Sequence, residues 1–277
     1  MVAPLRTVVV RRPGAELEGA DPARWGYAGI PHQQTAGTEH DGLVQLLTAD
    51  GIDVIAHDTA LDGLSDAMFV HDPAFITDGG VIELRMGKPL RRGEETPLST
   101  TLQTLGVPIL GTITAPGVAE GGDLLWLRPD LLAVGQGFRT NADAFAQLSH
   151  LMPDVDLVPV GLPYHTGPAH CLHLMSLISM IDDDLAVAFR PLLPVPFLEL
   201  LDDLGITIVD VPEAEVATHA TNVLAVGPRR CIMLRNNPIT VGRLIAAGCD
   251  VRTYKGDEIT LKAEGGATCL TRPVLRM

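Results

Sequence analysis

Cys269 is the residue whose neighbours most suggest chemistry. It follows a Gly265–Gly266 pair in the stretch KAEGGATCLTRPVLRM, and glycines let a backbone turn tightly and approach a ligand because no Cβ obstructs it. A thiol presented this way can act as a nucleophile. The competing reading is a small buried hydrophobe on a C-terminal strand, the usual fate of a free cysteine. Three further donors, His170, Cys171 and His173, stand close together. Zinc sites of sulfur and imidazole take about four ligands from paired clusters. No second cluster follows, so the spacing argues against a metal.

Polar clusters recur along the chain at a separation of about 50 residues, within the range that marks repeat architectures. They are MFVHDPAF around Asp72, AEGGDLLW around Glu120, HCLHLMSL around His173, TNVLAVG around Asn222 and EGGATCL around Cys269. Each lies beside an apolar run. VIEL, LLAVGQG, LAVAF, NVLAV and CIMLR have the length and branching of strands buried on both faces. DAFAQLSHLM and PFLELLDDLG carry helical spacing. Strand, helix, strand therefore repeats, and units that each hold a polar residue at a similar point can bring those residues to one central face.

The order FVHDP, RRGE, EGGD, RTN, HL and a terminal Gly-Gly-X-X-Cys resembles the guanidino-group-modifying enzymes, most closely the dimethylarginine dimethylaminohydrolase family, over nearly the whole chain. The resemblance implies an α/β fold, a pseudo-fivefold β/α propeller (pentein) of ββαβ-type units, with residues 1–277 as one catalytic domain. It implies no cofactor and no metal. Carried over residue by residue, Cys269 is the nucleophile, His173 the general acid and base, Glu120 its carboxylate partner and Asp72 a guanidinium anchor. Arg85 and Arg139 match the arginines that hold an α-carboxylate, Asp66 matches an acidic residue lining the site, and Glu264 stands where an aspartate is usual. His71 departs from the pattern: it replaces a glutamate that would be the second guanidinium carboxylate. A protonated imidazole there would repel a guanidinium, so His71 is expected to face the substrate and to make binding weaken as pH falls.

These roles match the chemistry. A guanidinium carbon resists attack by water, and a thiolate opens a covalent route through a thiouronium. A carboxylate grips the planar cation by paired charge-assisted hydrogen bonds, while an imidazole protonates the departing amine and then deprotonates water. The implied reaction is hydrolysis of a methylated arginine to citrulline and an amine. Alternatives are deimination of free arginine, amidinotransfer, and arginine binding without catalysis. RRGE, at Arg91 to Glu94, reads as a charged loop with structural contacts, and EGGD could equally be a surface turn.

Composition bounds the rest. A net charge of −14 over 277 residues disfavours nucleic-acid binding and suits a small cationic guanidino substrate. Four cysteines are too sparse for a disulfide scaffold, which favours a cytoplasmic protein. The N-terminal apolar stretch is too short, and too interrupted by arginine, for a signal peptide or membrane span. A homodimer is compatible with these features. Residues 13–37, rich in Gly, Ala and Pro around Trp25 and Tyr27, read as a long loop that could close over the site as a lid.

Overall fold

Five of the six α-helices among the described residues bring a pair of residues four apart to the same face, and that spacing sets how they pack. The pairs are Leu43 and Leu47, Leu98 and Leu102, Ala144 and Leu148, Phe197 and Leu201, and Thr240 and Leu244, all buried. In the computed structural model, which describes residues 2–168 and 170–277, every pair lies over a small sheet from its own part of the chain.

The chain opens with β1 (Leu5–Val10), α1 (Pro22–Trp25), α2 (Gln33–Ala49) and β2 (Asp53–Ala56). A second unit follows as β3 (Ala74–Thr77), β4 (Gly80–Glu83), α3 (Glu95–Thr104) and β5 (Ile109–Thr112). The third is β6 (Leu124–Arg128), β7 (Leu131–Gln136), α4 (Ala142–Leu151) and β8 (Asp156–Gly161). The fourth is β9 (Ile178–Asp182), β10 (Leu185–Ala188), α5 (Val195–Asp203) and β11 (Thr207–Asp210). The fifth is β12 (Leu224–Gly227), β13 (Arg230–Leu234), α6 (Pro238–Ala246) and β14 (Asp250–Tyr254), after which β15 (Thr271–Arg276) ends the chain.

Among the described residues these strands make five three-stranded sheets. In each, the first two strands pair antiparallel and the third joins the middle strand in parallel, after the helix has crossed over. The first sheet is completed from the other end of the chain: β15 supplies the antiparallel partner of β1, with Val9 opposite Arg272, and β2 adds in parallel. The middle strands are buried on both faces, Leu185–Ala188 throughout, so they lack polar alternation. The expected α/β arrangement of five ββαβ-type units is the one found.

One expectation changes. Residues 13–37 are not a structureless loop. They hold a 3-10 turn at Ala15–Leu17, the short α1 and the start of α2, and Leu17, Trp25 and Tyr27 are buried in the same core as Leu43 and Leu47. No helix among the described residues is long and apolar enough to cross a membrane.

Candidate active site

The five polar clusters occupy equivalent places. Asp72 lies just ahead of β3, Glu120 ahead of β6, His173 ahead of β9, Asn222 ahead of β12 and Cys269 ahead of β15. Each sits in the loop entering the outer, antiparallel strand of its sheet, so the repeat delivers them to the same end of their sheets.

Glu120 and His173 form the tightest pair, with Nε2 2.7 Å from Oε2. Gly122 makes this approach possible, because a Cβ there would collide with the imidazole. Asp123 ties the same loops together, accepting from Leu174 N at 2.9 Å and from Thr140 Oγ1 at 2.6 Å. Glu120 is fully buried and also accepts from Lys88 N at 2.8 Å, while Arg139 Nη1 stands 3.2 Å from Oε2. Burial opposes ionisation of Glu120, but the hydrogen bond from His173 and the charge of Arg139 outweigh it and bring its pKa down to about 2. His173 moves the other way. Burial disfavours its cation, yet Cys171, Asp72 and Asp123 raise its pKa well above the ordinary imidazole value.

Asp72 is buried beside them, its Oδ1 3.9 Å from His173 Nδ1. Gly122 N donates to Oδ1 at 3.0 Å, and Arg91 Nη1 donates to Oδ2 at 2.6 Å. Burial works against the carboxylate, but His173 and Arg91 hold it below the usual range. Arg91 also grips Glu94 through Nε and Nη2 and reaches Phe69 O at 2.9 Å. Arg91 and Glu94 of the RRGE motif are therefore a buried support of Asp72, which gives the expected structural contacts a place beneath the surface. The fixed distance from Asp72 to two cationic side chains only emerges once the chain folds. Asp66 is buried and paired with Lys88 Nζ at 2.6 Å. The same ammonium reaches Trp25 O and lies 5.0 Å from the centre of the Trp25 ring, which pins α1 to the edge of the site.

Cys269 is held by Asn222, whose Nδ2 donates to Sγ at 3.0 Å while its Oδ1 accepts from Thr268 N at 2.9 Å. Gly266 is needed because a Cβ there would strike the Asn222 amide. Burial and the charge of Asp72 push the thiol up to about 11, against the lowering influence of Asn222 and His173. Asn222 had shown itself in the sequence as one of the five periodic clusters, without a role.

Three sequence-derived positions lie differently from expectation. His71 is buried with Nδ1 3.0 Å from Thr271 O, and the residue lines a cavity toward the far ends of the strands, whereas Cys269 does not. Burial and Arg272 bring its pKa down to about 3, so a protonated His71 is not what a substrate meets at neutral pH. Arg85 is half-buried and donates from Nη1 to Gly117 O at 3.2 Å, with no ion pair to the Glu120–His173 cluster among the described residues. Glu264 is exposed in a left-handed conformation, φ 69°, with its carboxylate 3.4 Å from His219 Nε2. Cys171, set aside in the sequence, stands 3.4 Å from His173 Nδ1. Ligand atoms of Glu120, Cys171 and His173 lie within 4.8 Å of one another. The 2.7 Å contact of Glu120 with His173 is a hydrogen-bond distance, shorter than the separation of two tetrahedral zinc ligands that each lie about 2 Å from the ion.

Comparison with known proteins gives a consistent picture. The family model described as N,N dimethylarginine dimethylhydrolase, eukaryotic, matches residues 24–276. The uncharacterized protein YkgA of Bacillus subtilis (strain 168) is 27% identical over 245 residues, covering 88% of this chain and 82% of that protein. The N(G),N(G)-dimethylarginine dimethylaminohydrolase of Pseudomonas aeruginosa is 25% identical over 267 residues, 95% of this chain and 97% of its own length. A solved dimethylarginine dimethylaminohydrolase, a histidine-to-glycine variant captured as its adduct with S-methyl-L-thiocitrulline, superposes with a TM-score of 0.81 at 25% identity, covering 99% of this chain and 100% of that one.

Proposed function

The chain belongs to the dimethylarginine dimethylhydrolase family, and we propose that it hydrolyses a methylated arginine to citrulline and an amine, with Cys269 as nucleophile. The observation that carries this reading is the convergence of a thiol, an imidazole–carboxylate pair and a buried aspartate in loops from separate repeats. Asp72 is the guanidinium anchor. Each of its oxygens accepts one internal hydrogen bond, and a carboxylate oxygen has a second lone pair for the substrate.

A thiol with a pKa near 11 is protonated in the free enzyme at neutral pH. A guanidinium docked beside it supplies the positive charge that lowers this value, so binding itself assists loss of the thiol proton to solvent. The thiolate then adds to the guanidinium carbon and forms a C–S bond. His173, whose environment favours its cation, gives its proton to the departing amine as the C–N bond breaks, leaving a thiouronium on Cys269. Neutral His173 next takes a proton from water as its oxygen attacks that carbon. The C–S bond breaks and the ureido product leaves with the thiolate restored. Glu120 holds the ring in place and stabilises its charged form throughout. Arg139, buried beside Glu120, is the cation best placed to meet a substrate carboxylate, with Lys88 and Asp66 at the edge of the same cluster.

The test offers the protein asymmetric dimethylarginine, arginine and agmatine, scoring ureido product and released amine. Preferential turnover of dimethylarginine is expected, with Cys269→Ser inactive but folded and an acid-quenched adduct on the peptide bearing Cys269. Preferential turnover of arginine with release of ammonia would replace this reading by deimination. Activity retained in Cys269→Ser would remove the covalent route.

A further inference from the structure

The ends of the strands away from Cys269 enclose a cavity of about 800 Å³. Its deep end is lined by the buried residues His71, Thr268 and Arg272, its outer part by Arg276 and the turn between β3 and β4. Arg272 is only 5% exposed. Its Nη1 donates to two backbone carbonyls, His71 O at 2.9 Å and Ala74 O at 2.8 Å. Its Nε is buried without a hydrogen-bond partner, and so is the hydroxyl of Thr268. Among the described residues Arg272 forms no ion pair. Asp72 is the carboxylate that acts on it, but Asp72 pairs with Arg91 at 2.6 Å and not with Arg272.

The other charged groups around the cavity do not supply the missing negative charge. Arg276 donates from Nη1 to Ala3 O and from Nη2 to Ala225 O at 2.8 Å each, neutral partners that leave its charge uncompensated. Asp78 and Asp154 line the cavity only at exposed positions, as does Arg128. A buried cation without a counter-charge costs several kcal/mol, and a hydroxyl left without a partner adds to that cost.

We infer that this chamber is a binding site for a small anion, a halide, an inorganic oxyanion or a small carboxylate, paired with the Arg272 guanidinium and hydrogen-bonded by Thr268. Burial depresses the basicity of Arg272 and Arg276, to about 9 and about 10, and an anion between them offsets that effect. The site is separate from the catalytic one, since Cys269 does not line the cavity. The two are mechanically joined, because Thr268 and Arg272 flank Cys269 on one short segment and His71 N donates to Cys269 O at 3.2 Å. An occupant would therefore stiffen the segment that presents the thiol.

Thermal unfolding of the full chain, titrated with chloride, phosphate or acetate at constant ionic strength, reads the binding. The expected result is a saturable rise in melting temperature with at least one of them, and the order among the three separates inorganic from carboxylate ligands. Arg272→Gln should weaken the apparent affinity roughly tenfold or more, the loss of one charge-assisted contact, while Arg128→Gln at the mouth leaves it unchanged. If Arg272→Gln does not fold, crystals of the native protein grown with bromide replace it, and an anomalous peak beside Arg272 supports the site. A response that is non-saturable for all three anions, or bromide crystals without a peak at Arg272, overturns it.

Discussion

Asn222 Nδ2 donates a hydrogen bond to Cys269 Sγ at 3.0 Å, and this is the only side-chain hydrogen bond to the thiol among the described residues. An amide N–H favours the thiolate over the thiol, so Asn222 lowers a pKa that burial and Asp72 raise. Asn222→Ala should move the pH dependence of Cys269 alkylation upward by roughly one pH unit or more, since a hydrogen bond to a charged group contributes about 1.5–3 kcal/mol. Rates of iodoacetamide inactivation against pH measure it. An unchanged profile would mean that the bond has no hold on the thiolate. His173→Ala should reduce turnover by about 10² to 10⁴, the usual loss on removing a general acid or base.

Glu120 gives a stability prediction with a defined sign. Its pKa falls from 4.5 unfolded to about 2 folded, so its contribution is fully present above 4.5 and is lost as pH falls toward 2. The stability gap between the native protein and Glu120→Gln should therefore narrow across that window. Urea unfolding at several pH values reads this directly. A gap that stays constant down to the lowest pH would show that the Glu120 charge does not stabilise the fold.

His71 gives the opposite test to the one its sequence position suggested. With a pKa near 3 in the folded state, it stays neutral while an unfolded histidine titrates near 6.5, so this residue makes stability rise with pH between those values. Two-dimensional NMR of the ring should find no titration of His71 above about pH 5. A Michaelis constant that rises below pH 6.5 must then come from another group. Titration of His71 near neutrality would return it to the substrate's surroundings.

The repeat was legible because its elements are written in short-range patterns: buried middle strands such as LAVA at Leu185–Ala188 and helix pairs four residues apart. The residues that precede each outer strand were also legible, as clusters spaced along the chain, including Asn222 before it had a role. What could not be read was where a side chain points after a sharp turn. His71 and Asp72 are adjacent, yet Asp72 meets Arg91 while His71 turns to Thr271 O. A one-residue change in facing decides the role, and only tertiary contacts fix it. The burial of Arg91 and Glu94 was hidden for a related reason, because charged side chains are expected at the surface unless a buried partner is known. The aromatic segment around Trp25 was underestimated too, since its anchor, Lys88, is distant in sequence.

Arg139 and Arg85 were paired in the sequence as carboxylate clamps, and their surroundings now separate them. Arg139 is buried against Glu120, whereas Arg85 holds one backbone carbonyl from a half-buried position. Arg139→Ala should raise the Michaelis constant for substrates carrying an α-carboxylate by an amount corresponding to about 1.5–3 kcal/mol. Agmatine has no carboxylate, so its turnover should suffer much less. Part of any shared loss will come from Glu120, left buried with one fewer cation, and agmatine measures that part because it uses the same relay. Arg85→Ala should leave the ratio of arginine-type to agmatine turnover unchanged and cost stability of about 0.5–1.5 kcal/mol, the worth of one ordinary hydrogen bond. Steady-state kinetics of both variants on both substrates decide the matter. If Arg139→Ala lowers the two substrates equally while Arg85→Ala selectively weakens the carboxylate-bearing one, the assignment is reversed and Arg85 is the clamp.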